Sequence, residues 1–123
     1  MKPLLILLLM TATALAIEPP VVVEATHYAG NLAGKPMANT SPYDPTQYTC
    51  AYESIHQQPF KYPLGTILKV TYQDVSILVE LTDRHGGKTG IDLSFMAFIA
   101  LLGDEDWIDQ GRLKGVVVEV LTK

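Results

Sequence analysis

Cysteine is almost absent from this sequence, because Cys50 is the single one among 123 residues. One thiol cannot close an intrachain disulfide, so the chain must be stabilised by its core, unlike disulfide-dense small secreted domains. Cys50 lies in a run of strand-forming residues. A free cysteine in such a run is more often a small buried side chain than a nucleophile, and we expect the buried role here.

Charge runs and metal-ligand spacings are missing as well. The net charge is −4 and no basic cluster occurs, which makes nucleic acid and anionic membranes poor partners. The three histidines are scattered, without HxxxH, HxH or CxxC spacing. The sequence therefore predicts neither a metal site nor a cofactor.

A secretory leader is the first feature that is present. Lys2 supplies a positive charge, Leu4–Met10 is apolar, and Ala14-Leu15-Ala16 has the small-x-small pattern of a cleavage site. The apolar run is too short to span a bilayer. We predict a signal peptide over residues 1–16 and a secreted or periplasmic protein. The residue directly after the expected cleavage site is Ile17 and not a cysteine, so a lipoprotein anchor is not expected.

The rest of the chain is predicted to be a linker over residues 17–22 and one domain over residues 23–123, made mainly of strands. Alternation and turn residues predict five strands: Val21–Ala29, Tyr48–Tyr52, Thr66–Tyr72, Val75–Thr82 and Leu113–Leu121. An apolar run predicts a helix over Phe95–Leu102, with Ser94 as N-cap and Gly103 at its end. Strands with one short helix and long loops favour a small barrel.

Several motifs occur in a recognisable order. They are Ala25-Thr26-His27-Tyr28-Ala29-Gly30, Gly34–Asn39, Tyr62-Pro63-Leu64-Gly65-Thr66, Ile77–Arg84 and Ile91-Asp92-Leu93-Ser94. Over about residues 24–121, this order resembles the RlpA-like double-psi β-barrel family, whose relatives include the first domain of expansins and the barwin-like proteins. The resemblance implies a mainly β, six-stranded double-psi β-barrel with one short helix.

The resemblance also implies a function in the cell wall. Bacterial members are peptidoglycan lytic transglycosylases, which cleave MurNAc-β-1,4-GlcNAc bonds to 1,6-anhydro-muramyl products. Because the muramyl 6-hydroxyl is an internal nucleophile, one acid/base carboxyl can serve both steps. The alternatives are a non-enzymatic, expansin-like wall-polysaccharide binding module, or a barwin-like scaffold or inhibitor. We expect a monomer whose partner is peptidoglycan or another wall polysaccharide.

By motif match, the resemblance implies that Asp83 is the acid/base residue. Two of its usual companions differ here, since Ser41 occupies the position of a glutamate and Tyr52 that of a histidine. His56, in the lengthened loop after the second strand, can supply an imidazole from a shifted position, and Glu53 a second carboxyl. The predicted catalytic residues are thus Asp83, His56 and Tyr52, with Tyr52 a possible hydrogen-bond partner of Asp83.

Substrate contacts are expected from Tyr28, Asp92 and Tyr43. Tyr28 and Tyr43, like Trp107, can stack on sugar rings but can equally be core residues. Asp92 can instead stabilise the N-terminus of the following helix, and Asp83 can simply cap the loop at Gly86-Gly87.

Overall fold

The structure is a computed structural model that describes residues 18–87, 90–103 and 111–122. The predicted signal peptide and Trp107 lie outside the described residues. Within these ranges the chain forms six strands, one α-helix and a 3-10 turn (Gly30–Leu32). The strands are β1 (Val21–His27), β2 (Thr49–Ser54), β3 (Ile67–Tyr72), β4 (Val75–His85), β5 (Ile91–Leu93) and β6 (Leu113–Thr122), and the helix is α1 (Phe95–Leu102). No helix of these ranges has the length and apolarity needed to cross a bilayer.

The strands close into a barrel in the order β1-β5-β2-β4-β3-β6. The β1–β5 and β2–β4 pairs are parallel and the other pairs are antiparallel. This confirms the six-stranded barrel. The fourth strand was expected to end at Thr82, but β4 continues to His85, and a further strand that the sequence pattern did not predict, β5, begins at Ile91. A three-residue strand is formed by pairing on both of its sides, so it leaves no local periodicity in the sequence.

The barrel interior is filled by alternate side chains of the long strands. Leu68 and Val70 of β3 are fully buried, and α1 closes one side of the core with Phe98 and Leu101. Cys50 is also fully buried there, as expected, and burial raises the pKa of its thiol. An uncharged, buried thiol is a packing group and does not act as a nucleophile.

The start of α1 is hydrogen-bonded to the long loop between β1 and β2 (residues 28–48). Ser94 occupies the N-cap, but its hydroxyl donates to the carbonyl oxygen of Gln47 at 2.6 Å instead of capping its own helix. The hydroxyl of Tyr43 accepts from the backbone N–H of Phe95 at 3.0 Å. Gly103 ends the helix in the left-handed conformation, as predicted. The helix therefore holds the loop against the barrel.

Candidate functional site

A shift in strand register aims Asp83 away from the barrel interior. In the β2–β4 pair, Cys50 faces Leu81, but the next β2 residue, Ala51, faces Asp83, two residues further along β4. Strict alternation would place Asp83 on the same face of β4 as Leu81, which is the buried face. Instead it shares a row with Ala51, which packs with Met37 in a small cluster outside the main core. Such irregularities re-aim a side chain, and here the result is a carboxylate on the outer face.

The Asp83 carboxylate accepts three hydrogen bonds. The Tyr28 hydroxyl donates to Oδ2 at 2.8 Å, and the backbone N–H groups of Ala38 and Arg84 donate to Oδ1, each at 2.9 Å. Asp83 therefore connects β1, the long loop and β4. The loop that it holds is the one at Ala38, whereas the sequence suggested the glycines after His85.

Asp92 lies on β5, on the other side of Ala51. It pairs with Ala51 across β2 and with Thr26 across β1, and the Thr26 hydroxyl donates to its Oδ1 at 2.9 Å. Burial raises the pKa of Asp92, the negative charge of Asp83 acts in the same direction, and the Thr26 hydrogen bond opposes both. A raised pKa makes this carboxyl a suitable proton donor.

Asp83 and Asp92 thus occupy one row across three neighbouring strands, with Ala51 between them. Adjacent strands are about 4.8 Å apart, so the two aspartate Cα atoms are roughly 10 Å apart. Both aspartates act on Tyr28. Burial, the hydrogen bond to Asp83 and the negative charges of Asp83 and Asp92 all raise the pKa of its hydroxyl. Tyr28 therefore stays protonated and remains a donor to Asp83.

The two predicted aromatic contacts are buried. Tyr28 is 6% and Tyr43 3% exposed, and their rings stack on each other with centroids 4.5 Å apart. Tyr28 reaches the site through its hydroxyl, while the Tyr43 hydroxyl meets the helix start. Their predicted contact with substrate stays a prediction, since the structure shows them holding the long loop on the barrel.

Within the described residues, neither of the other two predicted catalytic residues forms a hydrogen bond with the Asp83 carboxylate. His56 is exposed in the turn after β2. Tyr52 follows Ala51 and therefore points to the opposite face of β2, where its ring stacks on Tyr62 at a centroid distance of 6.1 Å. Burial raises the pKa of Tyr52 to about 12. The hydrogen bond suggested from Tyr52 to Asp83 is made by Tyr28, and the catalytic roles of Tyr52 and His56 stay predictions.

Glu53 is engaged elsewhere. Its carboxylate accepts from the backbone N–H groups of Lys61 and Tyr62, at 2.8 and 3.0 Å, and from Arg84 Nη1 at 2.9 Å. Arg84 Nη2 also donates to the carbonyl oxygen of Tyr62 at 2.6 Å. This pair forms a clamp on the loop after β2. Successive residues of a strand point to opposite faces, so this clamp lies on the face of β4 opposite to Asp83. Glu53 is therefore not a second carboxyl beside Asp83.

An open cleft of about 430 Å³ lies beside Asp92. Its lining comprises Glu24, Thr26, His85, Gly86, Gly87, Gly90, Ile91, Asp92 and Arg112. Asp92 faces this cleft, whereas Asp83 is not part of its lining. Sequence reasoning missed His85, whose Nε2 lies 3.0 Å from the carbonyl oxygen of Gly90, and Arg112, which pairs with Glu24 at 2.7 Å. His85 could have been predicted as a site residue from its position two residues after Asp83 on the same strand.

Several solved structures are similar to this one, whereas no family model and no curated protein sequence matches the chain. A papain inhibitor from Streptomyces is 26% identical, with a TM-score of 0.65 over 85% of this chain and 96% of that one. An expansin of Clavibacter michiganensis is 27% identical, with a TM-score of 0.63 over 85% of this chain and 52% of that one. The chain therefore has the double-psi β-barrel fold of the RlpA/barwin-like proteins.

Two further neighbours fit this double-psi β-barrel. A variant of the same expansin, solved in complex with cellohexaose, is 25% identical, with a TM-score of 0.61 over 83% of this chain and 50% of that one. Cerato-platanin 3 from M. perniciosa is 18% identical, with a TM-score of 0.56 over 81% and 93%. The present chain spans about half the length of the expansin chains. Together these likenesses support the fold.

Proposed function

We propose that this double-psi β-barrel binds a cell-wall polysaccharide on the face that carries Asp83 and Asp92. The observation behind the proposal is the row of two carboxyls on either side of Ala51, with Asp92 facing an open cleft. Carboxylates accept hydrogen bonds from sugar hydroxyls, and the cleft adds the hydroxyl of Thr26 and the imidazole of His85. The likeness to an expansin solved with cellohexaose supports a β-1,4-linked glycan as the ligand.

The finer proposal is cleavage of that glycan by lytic transglycosylase chemistry. The leaving oxygen needs a proton donor, and the oxocarbenium-like transition state needs a nearby negative charge. Asp83 is the acid/base residue by motif match, but its carboxylate is already occupied by three donors. Asp92 is the better-placed proton donor, because burial raises its pKa and it faces the cleft. We assign both proton transfers to Asp92. It protonates the leaving oxygen as the glycosidic bond breaks and then, as a carboxylate, takes the proton of the muramyl 6-hydroxyl as that oxygen bonds to C1. Asp83 is the charge that stabilises the transition state.

The test uses the purified protein with insoluble peptidoglycan and with cellulose. The retained fraction measures binding, and mass spectrometry of 1,6-anhydro-muramyl products measures cleavage. Asp92→Asn and Asp83→Asn are compared with Asp74→Asn, an exposed aspartate in the turn at the other end of β4. We expect weaker retention for the first two variants alone. Equal retention of all three variants contradicts the binding face, and an absence of anhydro products contradicts cleavage without affecting binding.

A second candidate function is inhibition of a papain-like cysteine protease. The observation that favours it is coverage: the likeness to the Streptomyces papain inhibitor extends over 96% of that chain, compared with about half of the expansin chains. A steady-state assay of papain with a chromogenic peptide substrate tests it. Progressive loss of activity with added protein is expected, and full activity at a large molar excess contradicts it.

A further inference from the structure

The loop between β2 and β3, residues 55–66, exposes apolar side chains. Every residue from Ile55 to Lys61 is exposed. Ile55 is 49%, Phe60 37% and Leu64 37% exposed. Scattered single apolar residues on a surface are ordinary, whereas this loop carries three within twelve residues, which makes it a candidate interface.

The base of this loop is fixed by buried charge. Arg84 and Glu53, whose side chains are 7% and 13% exposed, together bond the backbone at Lys61 and Tyr62. The Arg84 guanidinium also lies 4.1 Å from the centre of the Phe60 ring, which fixes that ring while part of it stays exposed. The apolar side chains are therefore presented from an anchored base.

The start of the loop is equally ordered. The backbone N–H of Ile55 donates to the carbonyl oxygen of His85 at 2.9 Å, which adds the loop to the end of β4. The Gln57 side chain accepts from the backbone N–H of Ser54 at 2.7 Å, and the backbone N–H of Gln57 donates back to the carbonyl oxygen of Ser54. A loop already held in one conformation loses little entropy on binding, which favours affinity.

The charge of the loop differs from that of the whole chain. Residues 55–66 include no aspartate or glutamate, whereas the net charge of the protein is −4. Lys61 is the single fully charged side chain of this loop, and it is paired with Glu18 at 3.0 Å. Few desolvated charges therefore oppose burial of the loop in an apolar site.

We propose that residues 55–66 are the surface that docks into the active-site cleft of a papain-like cysteine protease, with Ile55 and Phe60 as the apolar anchors. The inference rests on the inhibitor candidate given above. Enzyme clefts are concave and mostly apolar, so a projecting, preorganised loop with apolar side chains is complementary to them. Docking requires no covalent step.

The loop can be tested separately from the polysaccharide face. Asp83 and Arg84 are adjacent on β4 and point to opposite faces, so the clamp and the aspartate row lie on different sides of this strand. Substitutions on the loop therefore leave Asp83 and Asp92 in place. The two proposals consequently make different predictions for the same set of variants.

The experiment measures the inhibition constant of the purified protein against papain. The loop variants are Ile55→Asp and Phe60→Ala, and the matched control is Leu78→Asp, an exposed apolar residue of β4. We expect each loop variant to weaken inhibition at least ~10-fold, as for central interface anchors, and the control to change it less than ~2-fold. Thermal melts of all variants check that each is folded. Ile55 forms hydrogen bonds only through its backbone, to His85 and Gln58, so Ile55→Asp is the variant least dependent on the clamp.

The possible results test the docking loop separately from the inhibitor function. Loop variants that inhibit as well as Leu78→Asp overturn the assignment of residues 55–66, although the inhibitor function stands. A wild-type protein that does not inhibit papain overturns both. Inhibition that is lost in Asp92→Asn but retained in Ile55→Asp also overturns the loop and transfers the protease contact to the aspartate face.

Discussion

Replacing Arg84 by methionine is expected to destabilise the barrel strongly. The guanidinium donates to the Glu53 carboxylate at 2.9 Å and to the carbonyl oxygens of Tyr52 and Tyr62, at 3.2 and 2.6 Å. Methionine fills similar volume but donates no hydrogen bond. The variant therefore leaves a partly buried carboxylate without its cation and two carbonyl oxygens without this donor.

The magnitude follows from burial. Removing one partner of a buried ion pair costs about 3–5 kcal/mol, because an uncompensated charge remains. Arg112 offers a matched control, since it pairs with Glu24 at 2.7 Å but the two side chains are 67% and 39% exposed. An exposed pair contributes about 0–1 kcal/mol, so Arg112→Met should change little. Against a total of about 5–15 kcal/mol for a domain, only the Arg84 variant approaches the limit of folding.

Urea unfolding of both variants, followed by far-UV circular dichroism, measures the difference. We expect a large fall in the midpoint for Arg84→Met and a midpoint near wild type for Arg112→Met, with slopes unchanged. Equal costs for the two variants would refute the reasoning from burial. If Arg84→Met changed only the local environment of Phe60 and left the midpoint unchanged, the clamp would order the loop but would not stabilise the barrel.

Three other changes test the site. Tyr28→Phe keeps the buried ring but removes one donor from Asp83, so urea unfolding should show a loss of about 1.5–3 kcal/mol. Gly90→Ala should shift β5, because Gly90 has φ +98° and a Cβ there would lie 2.7 Å from the carbonyl oxygen of Glu24, and thermal melts should show a lower Tm. Asp92→Asn should raise the free energy of unfolding at pH 7. Burial raises the pKa of Asp92 in the folded state, so at a pH above the usual aspartate pKa of 3.8 its ionisation destabilises the native protein. Asparagine removes this cost, and its stabilising effect should therefore vanish as the pH is lowered.

The sequence was sufficient for the long elements of this fold. Runs of strand-forming residues between turn residues identified β3, β4 and β6, with period-two alternation in β4. The apolar run between Ser94 and Gly103 identified α1 with its correct bounds. The short strand β5 was invisible to periodicity, since pairing with β1 and β2 creates it. The resemblance to the RlpA-like family supplied the sixth strand as a count, and the structure places it at Ile91–Leu93.

The candidate site was less predictable, because its geometry depends on register. Asp83 was found by motif, but its direction follows from the shift between Cys50 and Ala51, which no local pattern encodes. The partner of Asp83 was expected at Tyr52 and is Tyr28, since successive residues of β2 point to opposite faces. Likewise, Glu53 was considered as a second carboxyl and instead binds the loop with Arg84. Side-chain identity is readable from the sequence, whereas which side chains meet is a tertiary property.

The two proposed surfaces should be independent in function, and a crossed experiment tests this. Asp92→Asn and Phe60→Ala are each measured for retention on insoluble polysaccharide and for inhibition of papain. The first should weaken retention alone and the second inhibition alone, because Asp83 and Arg84 separate the surfaces on opposite faces of β4. Because each substitution acts on a different activity, the double variant should lose as much retention as Asp92→Asn alone and as much inhibition as Phe60→Ala alone. If either single variant impaired both activities while remaining folded, the surfaces would overlap, and one face of the barrel would serve both ligands.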